Sequence, residues 1–493
     1  MRIQRFSGNG VPHKTLLELF QAEGIFLPAD CGGRGVCGKC RVRFLSGAPE
    51  AVEEEIERLS PEQLEEGIRL ACRTRPKGAF AVEWEQNEEA IEVESIDIPE
   101  EASTGNGAGR TDRGKGNRRV AVDIGTTTIA AALVDAQSGQ VLAAETGINH
   151  QRSFGADVIS RIQATNDGKG EELRQLAERD IRNLITNLGE DPETVPTVIA
   201  GNTTMEHLLR GLSCTTLGVV PFTPVDISLH RERNRLFLPG ISTFIGADIV
   251  SGIVSVGMDV SNEICMLIDL GTNGEMAIGN KEKILTASTA AGPAFEGGNI
   301  SCGVAGIPGA ISRVTITDGK VAYETIGGKE PVGLCGTGVL EVMYELLKEE
   351  IVDETGLMDD GYVEEGYSVA GDIVFTDKDI REVQLAKSAI RAGAETLMKE
   401  FGVGYGDVSR LYLAGGFGQK IDLTKAAGIG ILPKELVGKT VAVGNSSLSG
   451  AIMVAAEESV SERFLKAISV ASEVGLSDSV IFQDLFMQHM FFE

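Results

Sequence analysis

One short pattern occurs twice in this chain, and it constrains the fold more than any other feature. Residues 122–127 read Val-Asp-Ile-Gly-Thr-Thr, and residues 268–273 read Ile-Asp-Leu-Gly-Thr-Asn. In both copies an apolar segment leads into Asp-x-Gly-Thr, and a second strand-like segment follows, at 129–134 and at 275–278. This pattern is typical of a β-hairpin closed by a Gly-Thr turn. The duplication predicts two similar α/β halves that face one cleft.

An Asp-x-Gly-Thr turn between two strands has chemistry that suits a bound phosphate. Its backbone N–H groups and hydroxyls can donate to phosphate oxygens, and its glycine leaves room for close approach. Its Asp can hold Mg²⁺, which prefers one or two carboxylates together with phosphate oxygens. A single turn of this kind is often only a hairpin, but two copies followed by the glycine-rich residues 414–418 favour a nucleotide cleft. The chain has no GxxxxGK motif followed by Ser or Thr, so the usual alternative for binding ATP is missing.

Four of the eight cysteines fall within the first 72 residues, with the spacing Cys-x5-Cys-x2-Cys and a fourth further on. They are Cys31, Cys37, Cys40 and Cys72. Four thiolates are the standard holder of an iron–sulfur cluster, and the pattern predicts a [2Fe–2S] centre. The alternatives are a zinc site or four reduced structural cysteines, but zinc knuckles usually contain two Cys-x2-Cys pairs. The scattered cysteines are expected to be small buried side chains: Cys214, Cys265, Cys302 and Cys335.

Charge and hydropathy exclude several classes of function. The chain has 45 basic and 72 acidic side chains, which gives a formal net charge of −27. Such a surface repels phosphate backbones and anionic lipid, so nucleic acid and membranes are poor candidate partners. No run of apolar residues approaches the ~18–20 needed to span a membrane, and no signal-peptide core follows the N-terminus. We therefore expect a cytoplasmic protein.

Changes in composition along the chain predict four parts. Residues 1–86 alternate short strands and helices around the cysteine loop, which indicates a small α+β unit. Residues 103–118 contain five glycines and no large apolar side chain, so 87–119 is predicted to be a flexible linker. The remainder has apolar strands, Gly/Thr turns and amphipathic helices. The internal repeat divides it into a first half, 120–264, and a second half, 265–493.

These motifs resemble two known protein families. The cysteine spacing and the sequence Arg-Leu-Ala-Cys at 69–72 resemble plant/adrenodoxin-type ferredoxins, β-grasp domains that hold a [2Fe–2S] cluster. The two phosphate turns and the Gly-Gly loop at 414–418 resemble the acetate/sugar kinase–Hsp70–actin superfamily, in which two RNase H-like halves clamp Mg·ATP. The implied fold class is multidomain: an α+β β-grasp ferredoxin domain followed by an α/β duplicated RNase H-like (actin-like) ATPase domain.

A narrower resemblance rests on further segments and on their combination with the ferredoxin unit. The chain is similar to the reductive activators of corrinoid proteins in residues 154–161, 200–205, 291–298, 336–338 and 444–446. The resemblance implies an ATP-hydrolysing iron–sulfur reductase that returns an inactive Co(II) corrinoid protein to its Co(I) state. It also implies ATP and Mg²⁺ as cofactors, an upstream low-potential electron donor and a homodimer. No Asp-x-His-x-x-Gly stretch is present, so the corrinoid is expected to arrive on a partner protein.

The resemblance also implies roles for individual residues. The cluster ligands are Cys31, Cys37, Cys40 and Cys72. The candidates for positioning Mg²⁺ and the attacking water are Asp123 and Asp269. The candidates for binding phosphate are Gly125, Thr126, Thr127, Gly271, Thr272 and Asn273, and those that approach the adenosine are Gly336, Gly415 and Gly416. Glu275 is a candidate general base, and the alternative for it is a surface position on a strand.

Three polar residues and three rival functions complete the expectations. Asp157 and Asp248 are expected to cap helices rather than face the cleft, and Arg161 is expected to lie on a solvated helix face.

One rival function is an activator of a 2-hydroxyacyl-CoA dehydratase, although such activators lack the N-terminal ferredoxin unit. The others are a small-molecule kinase fused to a redox domain and a redox-gated binding module whose ATP cycle only switches partner affinity.

Overall fold

A computed structural model describes residues 2–29, 31–86, 117–317 and 319–492. Nearly all of the predicted linker, 87–119, lies outside the described residues. Arg118 and Arg119, which the sequence placed at the end of that linker, begin the first strand of the following unit. The described chain folds around three main sheets, which define an N-terminal domain, a first lobe and a second lobe.

The N-terminal domain is a four-stranded antiparallel sheet in the order β1-β4-β2-β3, with one main helix, α1, packed on it. The helix begins at Leu16 because Thr15 accepts from the backbone N–H of Glu18 and the Glu18 carboxylate accepts from the N–H of Thr15. Phe20 on this helix is fully buried, and its ring lies 5.0 Å from that of Trp84. The elements are β1 (Arg2–Asn9), α1 (Leu16–Ala22), β2 (Arg41–Ser46), α2 (Glu53–Ile56), α3 (Pro61–Glu65), β3 (Ile68–Leu70) and β4 (Ala79–Gln86).

The first lobe is built on a six-stranded mixed sheet. Its elements are β5 (Arg118–Ile124), β6 (Thr128–Asp135), β7 (Gln140–Ile148), α4 (Val158–Ala164), α5 (Gly170–Asn187), β8 (Thr197–Gly201), α6 (Thr203–Arg210), β9 (His230–Glu232), β10 (Arg235–Phe237) and α7 (Ala247–Ser255). The strand order is β7-β6-β5-β8-β10-β9. Strands β5, β6 and β7 form an antiparallel meander, β8 runs parallel to β5, and β10 runs parallel to β8.

The second lobe repeats this arrangement and adds two small sheets. Its elements are β11 (Cys265–Leu270), β12 (Gly274–Gly279), β13 (Ile284–Thr289), β14 (Ala310–Thr317), β15 (Lys320–Thr325), β16 (Gly333–Leu334), α8 (Gly336–Lys348), β17 (Tyr367–Ala370), β18 (Ile373–Phe375), α9 (Asp377–Phe401), β19 (Arg410–Ala414), α10 (Gly416–Lys420), α11 (Leu423–Gly428), β20 (Thr440–Gly444), α12 (Ser446–Ala456), α13 (Ser461–Val470), β21 (Ala471–Glu473) and α14 (Val480–Gln488). The main sheet has the order β20-β19-β11-β12-β13-β21. Strands β11, β12 and β13 are antiparallel, and β19 runs parallel to β11 and to β20. The predicted pair of similar halves is therefore confirmed.

One hydrophobic core contains residues of both lobes and packs them together. Val120 and Val122 of β5 face the core beneath α5 and α6, while Ala121 faces the opposite core, which contains α7 and α12. Helix α12 follows β20 of the second lobe in the chain but packs on β5 and α7 of the first. Three scattered cysteines are buried as predicted, Cys214, Cys265 and Cys335, whereas Cys302 is partly exposed.

None of the helices formed by the described residues combines the length and the apolar character needed to span a bilayer.

Candidate functional site

The four cysteines of the N-terminal domain come together as two pairs. The thiols of Cys31 and Cys37 are hydrogen-bonded to each other, and so are those of Cys40 and Cys72. Cys31, Cys40 and Cys72 are buried, and Cys37 is partly exposed. A [2Fe–2S] cluster takes two thiolates on each iron, so this pairing fits such a cluster.

Hydrogen bonds favour deprotonation of one thiol in each pair. The Cys37 thiol lowers the pKa of Cys31 to about 4, although burial opposes the change. The Cys72 thiol likewise lowers the pKa of Cys40, again against burial. The thiolate is the form of cysteine that binds a metal. The same hydrogen bonds raise the pKa of Cys37 and of Cys72, so each pair favours one thiolate.

The backbone brings the fourth cysteine to the loop that holds the other three. The N–H of Ala71 donates to the carbonyl of Cys40 at 2.9 Å, which places Cys72 beside that loop. Within the loop, Gly35 and Gly38 have φ angles of 82° and 68°. Glycine adopts this left-handed region without strain, so the loop can turn tightly around the thiols.

A buried carboxylate that the sequence did not single out holds the segment around Cys72. Glu55 is 1% exposed, and its Oε1 accepts from the N–H of Leu70 at 2.7 Å and from Thr74 Oγ1 at 2.9 Å. Buried polar groups persist when they are hydrogen-bonded. Glu55 therefore connects residues 70–74, which include Cys72, to α2.

The first phosphate turn joins β5 to β6 and contains Gly125, Thr126 and Thr127. At the end of β5, both oxygens of Asp123 accept hydrogen bonds from the start of α12: Asn445 Nδ2 at 2.8 Å and Ser447 Oγ at 2.7 Å. Burial raises the pKa of Asp123, and these two hydrogen bonds oppose the rise. Asn445 and Ser447 were not predicted to contact Asp123, because more than 300 residues separate them along the chain.

The second turn joins β11 to β12 and contains Gly271, Thr272 and Asn273. In the part of the chain that the structure describes, the carboxylate of Asp269 receives no hydrogen bond from a side chain. Burial, together with the negative charges of Asp248, Asp123 and Glu296, raises the pKa of Asp269 to about 7. The two copies of the motif therefore differ. The Asp123 carboxylate is hydrogen-bonded by side chains, whereas the Asp269 carboxylate is open, which here means that no side chain of the described residues donates to it.

Four carboxylates crowd the space between the two turns. Asp123, Asp248, Asp269 and Glu275 all have raised pKa values, with burial as the largest cause and mutual repulsion as a further cause for the last three. No three acidic, His or Cys side chains among the described residues form a preformed metal cage. Magnesium commonly binds to one or two carboxylates and completes its shell with phosphates and water. A divalent cation here would relieve the repulsion, so these residues fit Mg·ATP.

The structure corrects two expectations about acidic residues and confirms a third. One alternative placed Glu275 on a strand surface. Instead, its side chain is buried near the carboxylates of Asp248 and Asp269, and Ser288 Oγ donates to it at 3.5 Å. Asp248 was expected to cap a helix, but Gly246 occupies the N-cap of α7 and Asp248 faces Asp123. Asp157 does cap α4, since it accepts from the N–H of Ser160 at 2.8 Å.

Arg161 is the clearest departure from expectation. It was expected on a solvated helix face, yet its side chain is fully buried. Its Nη2 donates to the carbonyl of Thr126 at 2.5 Å, and its Nε donates to the carbonyl of Gly155 at 3.0 Å. Its role is to hold the backbone of the first phosphate turn. A signal was present, because helical spacing places Arg161 on the same face as Val158 and Ile162.

Two of the three glycines predicted to approach adenosine, Gly336 and Gly415, occupy positions where a side chain does not fit. A Cβ at Gly336 would lie 1.8 Å from the carbonyl oxygen of Phe295. Gly415 has a φ of 87°, and a Cβ there would lie 2.9 Å from Asp269 Oδ1. Beyond Gly416, the ring of Phe417 stacks on that of Phe295 at 5.0 Å. These contacts show tight packing within the second lobe, and Gly336 and Gly416 also line the open space between the two turns.

That space is part of one cavity of about 1920 Å³, which the cysteine loop also lines. Its lining includes Cys31 and Cys37 from the N-terminal domain, and Thr127 from the first turn. It also includes Thr272 from the second turn and Gly416 from the glycine-rich loop. The structure therefore brings the two sets of predicted site residues to a single cavity.

Three families match successive parts of the chain. Residues 6–77 match the 2Fe-2S iron-sulfur cluster binding domain. Residues 119–261 match the RACo middle region. Residues 263–493 match the C-terminal domain of RACo, described as the ASKHA domain. Together these matches account for the ferredoxin domain and for both lobes.

Two curated proteins and one solved structure that are similar to this chain are all named for the activation or reduction of corrinoid proteins. The corrinoid activation enzyme RamQ of Eubacterium limosum is 34% identical over 378 residues, which are 67% of this chain and 63% of that protein. The [Co(II) methylated amine-specific corrinoid protein] reductase of Methanosarcina barkeri is 32% identical over 258 residues, 48% of this chain and 46% of that protein. The chain thus spans about half to two thirds of these curated relatives. A solved structure of a reductive activator for corrinoid, iron-sulfur protein superimposes with a TM-score of 0.69 at 27% identity, covering 99% of this chain and 98% of the other.

Proposed function

This chain belongs to the RACo family, and we propose that it uses ATP to reduce the inactive Co(II) form of a corrinoid protein to Co(I), one electron at a time. The observation that carries this proposal is the shared cavity, which joins the cysteine loop to the two phosphate turns. The names of both curated relatives and of the similar solved structure support the same activity. An electron carrier alone has no need of a duplicated phosphate cleft.

The roles proposed for the cleft follow from its geometry. Asp269 presents an open carboxylate and positions Mg²⁺ and, through it, the attacking water. The N–H groups and hydroxyls of both turns bind the phosphates, while Gly336, Gly415 and Gly416 let the backbone approach the adenosine. Asp123 orients the start of α12 through Asn445 and Ser447. Glu275 stays the candidate general base, because it is the carboxylate nearest the second turn along β12.

The roles proposed for the N-terminal domain concern one electron. When bound, a [2Fe–2S] cluster supplies a single electron at low potential. Cys31 and Cys37 would hold one iron and Cys40 and Cys72 would hold the other, and Cys37 is the partly exposed ligand that lines the cavity. ATP binding and hydrolysis can drive an unfavourable transfer by changing how strongly activator and corrinoid protein bind each other.

The partners extend this proposal. The corrinoid protein brings the cobalt, and an upstream low-potential donor reduces the cluster. A homodimer and a cytoplasmic location stay predictions. Neither nucleic acid nor a membrane is a proposed partner, since the net charge of −27 disfavours both.

An anaerobic assay tests the proposed function. Chemically reduced protein is mixed with a Co(II) corrinoid protein, with and without Mg·ATP, and the visible absorbance of Co(I) is followed. We expect Co(I) only when ATP is present. We expect the Cys37→Ala variant to lose the reaction, and Cys214→Ala, which removes a buried thiol outside the cluster loop, to retain it.

Two outcomes separate the proposal from its rivals. If the cluster is reduced and reoxidised normally but cobalt stays Co(II) with several corrinoid proteins, the acceptor is wrong. If ATP is hydrolysed at the same rate in the reduced and oxidised protein and only partner affinity changes, the chain is a binding module rather than a reductase.

A further inference from the structure

The N-terminal domain rests on a short segment of the first lobe, residues 149–157, which we call the docking segment. Gln21 Nε2 donates to the carbonyl of Ser153 at 3.1 Å. A Cβ at Gly32, in the cysteine loop, would lie 3.0 Å from the carbonyl oxygen of Phe154. The loop that carries the cluster thiols is thus in direct backbone contact with the first lobe.

An aromatic side chain adds a second part to this contact. The ring of Phe26, in the N-terminal domain, meets the ring of His150 in the first lobe edge-on, with the centroids 5.7 Å apart. The guanidinium of Arg179, also in the first lobe, lies 4.8 Å from the centroid of the Phe26 ring. Asp180 fixes His150 by accepting from its N–H at 2.9 Å. Contacts between an aromatic ring and a cation are attractive and are stronger where water is excluded. Phe26 is therefore the anchor of the domain on the lobe.

The opposite side of the docking segment holds the first phosphate turn. Asn149 is fully buried, its Nδ2 donates to the carbonyl of Gly125, and its backbone N–H donates to the carbonyl of Thr127, both at 2.9 Å. Arg161 binds the carbonyls of Thr126 and Gly155. The same segment therefore contacts the phosphate turn on one side and the ferredoxin domain on the other.

More basic than acidic side chains line the cavity between them, although the cleft also holds the four buried carboxylates described above. Seven basic side chains line it, from both the N-terminal domain and the lobes: Arg34, Lys39, Arg41, Arg58, Arg152, Arg313 and Lys420. The acidic lining residues are Asp157, Glu296, Glu341 and Asp422. Side chains of both signs are already engaged. Asp157 and Asp422 cap helices and Glu341 pairs with Lys425, while Arg313 pairs with Glu324 and Arg34 donates to the carbonyl of Cys31. Such a lining favours a polyanionic ligand.

We propose that Mg·ATP in the cleft tightens the docking of the N-terminal domain on the first lobe, and that Arg152 contacts the terminal phosphate. Arg152 lines the cavity and precedes Ser153, which binds Gln21. The nucleotide adds negative charge between Arg152 and the basic loop at Arg34 and Lys39, so it draws the two domains together. This inference rests on the proposed function, because it takes Mg·ATP as the ligand of the cleft.

Thermodynamic linkage makes the effect reciprocal. If the nucleotide strengthens docking, then docking must strengthen nucleotide binding by the same factor. A variant that loses the Phe26 anchor is therefore expected to bind the nucleotide more weakly, although Phe26 lies outside the nucleotide cleft. A coupling at the lower end of the usual range corresponds to about fivefold.

Hydrogen exchange on the full-length, cluster-loaded chain tests the proposal. With saturating Mg·AMPPNP, a non-hydrolysable ATP analogue, we expect amides in 16–29 and in the docking segment to exchange about fivefold more slowly. Calorimetry on the same samples measures the affinity for Mg·AMPPNP. Phe26→Ala is expected to abolish the slowing and to weaken nucleotide binding about fivefold. Leu465→Ala, which truncates an exposed apolar side chain on α13, is the control and is expected to change neither.

Arg152→Gln separates phosphate contact from docking. We expect this variant to bind Mg·AMPPNP measurably, but without slower exchange in either segment. Unchanged or faster exchange in the wild-type chain that does bind the nucleotide would overturn the docking inference and leave the proposed function intact. Absence of Mg·AMPPNP binding in the calorimeter would overturn both.

Discussion

The two phosphate turns share one backbone and differ in what surrounds their aspartates. Asp123 receives hydrogen bonds from Asn445 and Ser447, whereas the carboxylate of Asp269 receives none from the side chains of the described residues. The difference arises because α12 begins directly against the first turn. In the second turn, Gly415 approaches Asp269 without a side chain. Duplication has thus produced one aspartate that joins the lobes and one that stays available to a cation.

The threonines of the two turns show the same division. In the first turn, the carbonyl of Thr126 is bound by Arg161, and its hydroxyl accepts from Asn202 at 3.1 Å. In the second, the hydroxyl of Thr272 donates to Glu296 at 3.0 Å. The first turn is tied to its own lobe by neutral and cationic donors, while the second lies among carboxylates. We therefore expect substitutions around the first turn to change mainly the stability of the fold. Substitutions around the second turn are expected to change mainly magnesium binding and its pH dependence.

The largest expected effect is that of Asp269→Asn. Loss of the open carboxylate should lower the rate of Mg·ATP hydrolysis by about a hundredfold to a thousandfold. Asp123→Asn should cost about tenfold or less, because the amide still accepts one of the two hydrogen bonds. Steady-state phosphate release measures both rates, and cluster absorbance confirms that each variant is folded. Equal losses in the two variants would contradict the division between the turns.

The hydrogen bonds to Asp123 should appear in stability rather than in chemistry. Ser447→Ala leaves a buried carboxylate with one donor fewer, and we expect it to lower the free energy of unfolding by about 1–3 kcal/mol. Ser449→Ala is the matched control, because Ser449 Oγ donates only to the carbonyl of Asn445 in its own helix. That change should cost about 0.5 kcal/mol or less. Denaturant titration compares the two, and similar midpoints would show that Asp123 does not join the lobes.

The raised pKa of Asp269 predicts a pH dependence for magnesium. With a pKa of about 7, this carboxyl is largely protonated at pH 6 in the free protein, and a cation must displace the proton. Affinity for Mg·AMPPNP should therefore rise with pH, by up to about tenfold per unit below pH 7, and level off above it. Calorimetry from pH 6 to pH 8 measures this slope. The Asp269→Asn variant should lose most of it, and a slope that persisted there would place the proton on Asp248 or Glu275.

The sequence predicted what depends on neighbouring residues. Both hairpins follow from apolar segments on either side of a Gly-Thr turn, and the structure confirms them. The cysteine spacing predicted a [2Fe–2S] centre held by four thiols, and the structure brings these thiols together as two hydrogen-bonded pairs. A hairpin and a cysteine loop are each specified by a few adjacent residues. Side chains alternate between the two faces of a strand, so a short segment already shows which of them face the core.

Long-range contacts were beyond such patterns. Nothing near Asp123 in the sequence indicates that Asn445 contacts it, since the two meet only after both lobes have folded. Asp248 lies two residues after Gly246 at a helix start and therefore resembles a cap, yet the packing of α7 turns its carboxylate toward Asp123. Arg161 could have been found from helical spacing. The roles of all these residues in ATP chemistry stay predictions.

The smallest effect is expected at Glu296, the acceptor of Thr272. Burial raises the pKa of this carboxyl, so a neutral amide resembles the form that burial favours. Glu296→Gln should therefore change the KM for Mg·ATP by about threefold or less, because the Gln oxygen still accepts from the Thr272 hydroxyl. Glu296→Ala removes the acceptor and should raise the KM by about tenfold. If both variants raised the KM equally, the charge of Glu296 rather than its hydrogen bond would act on the second turn, and this turn would bind metal through more than Asp269.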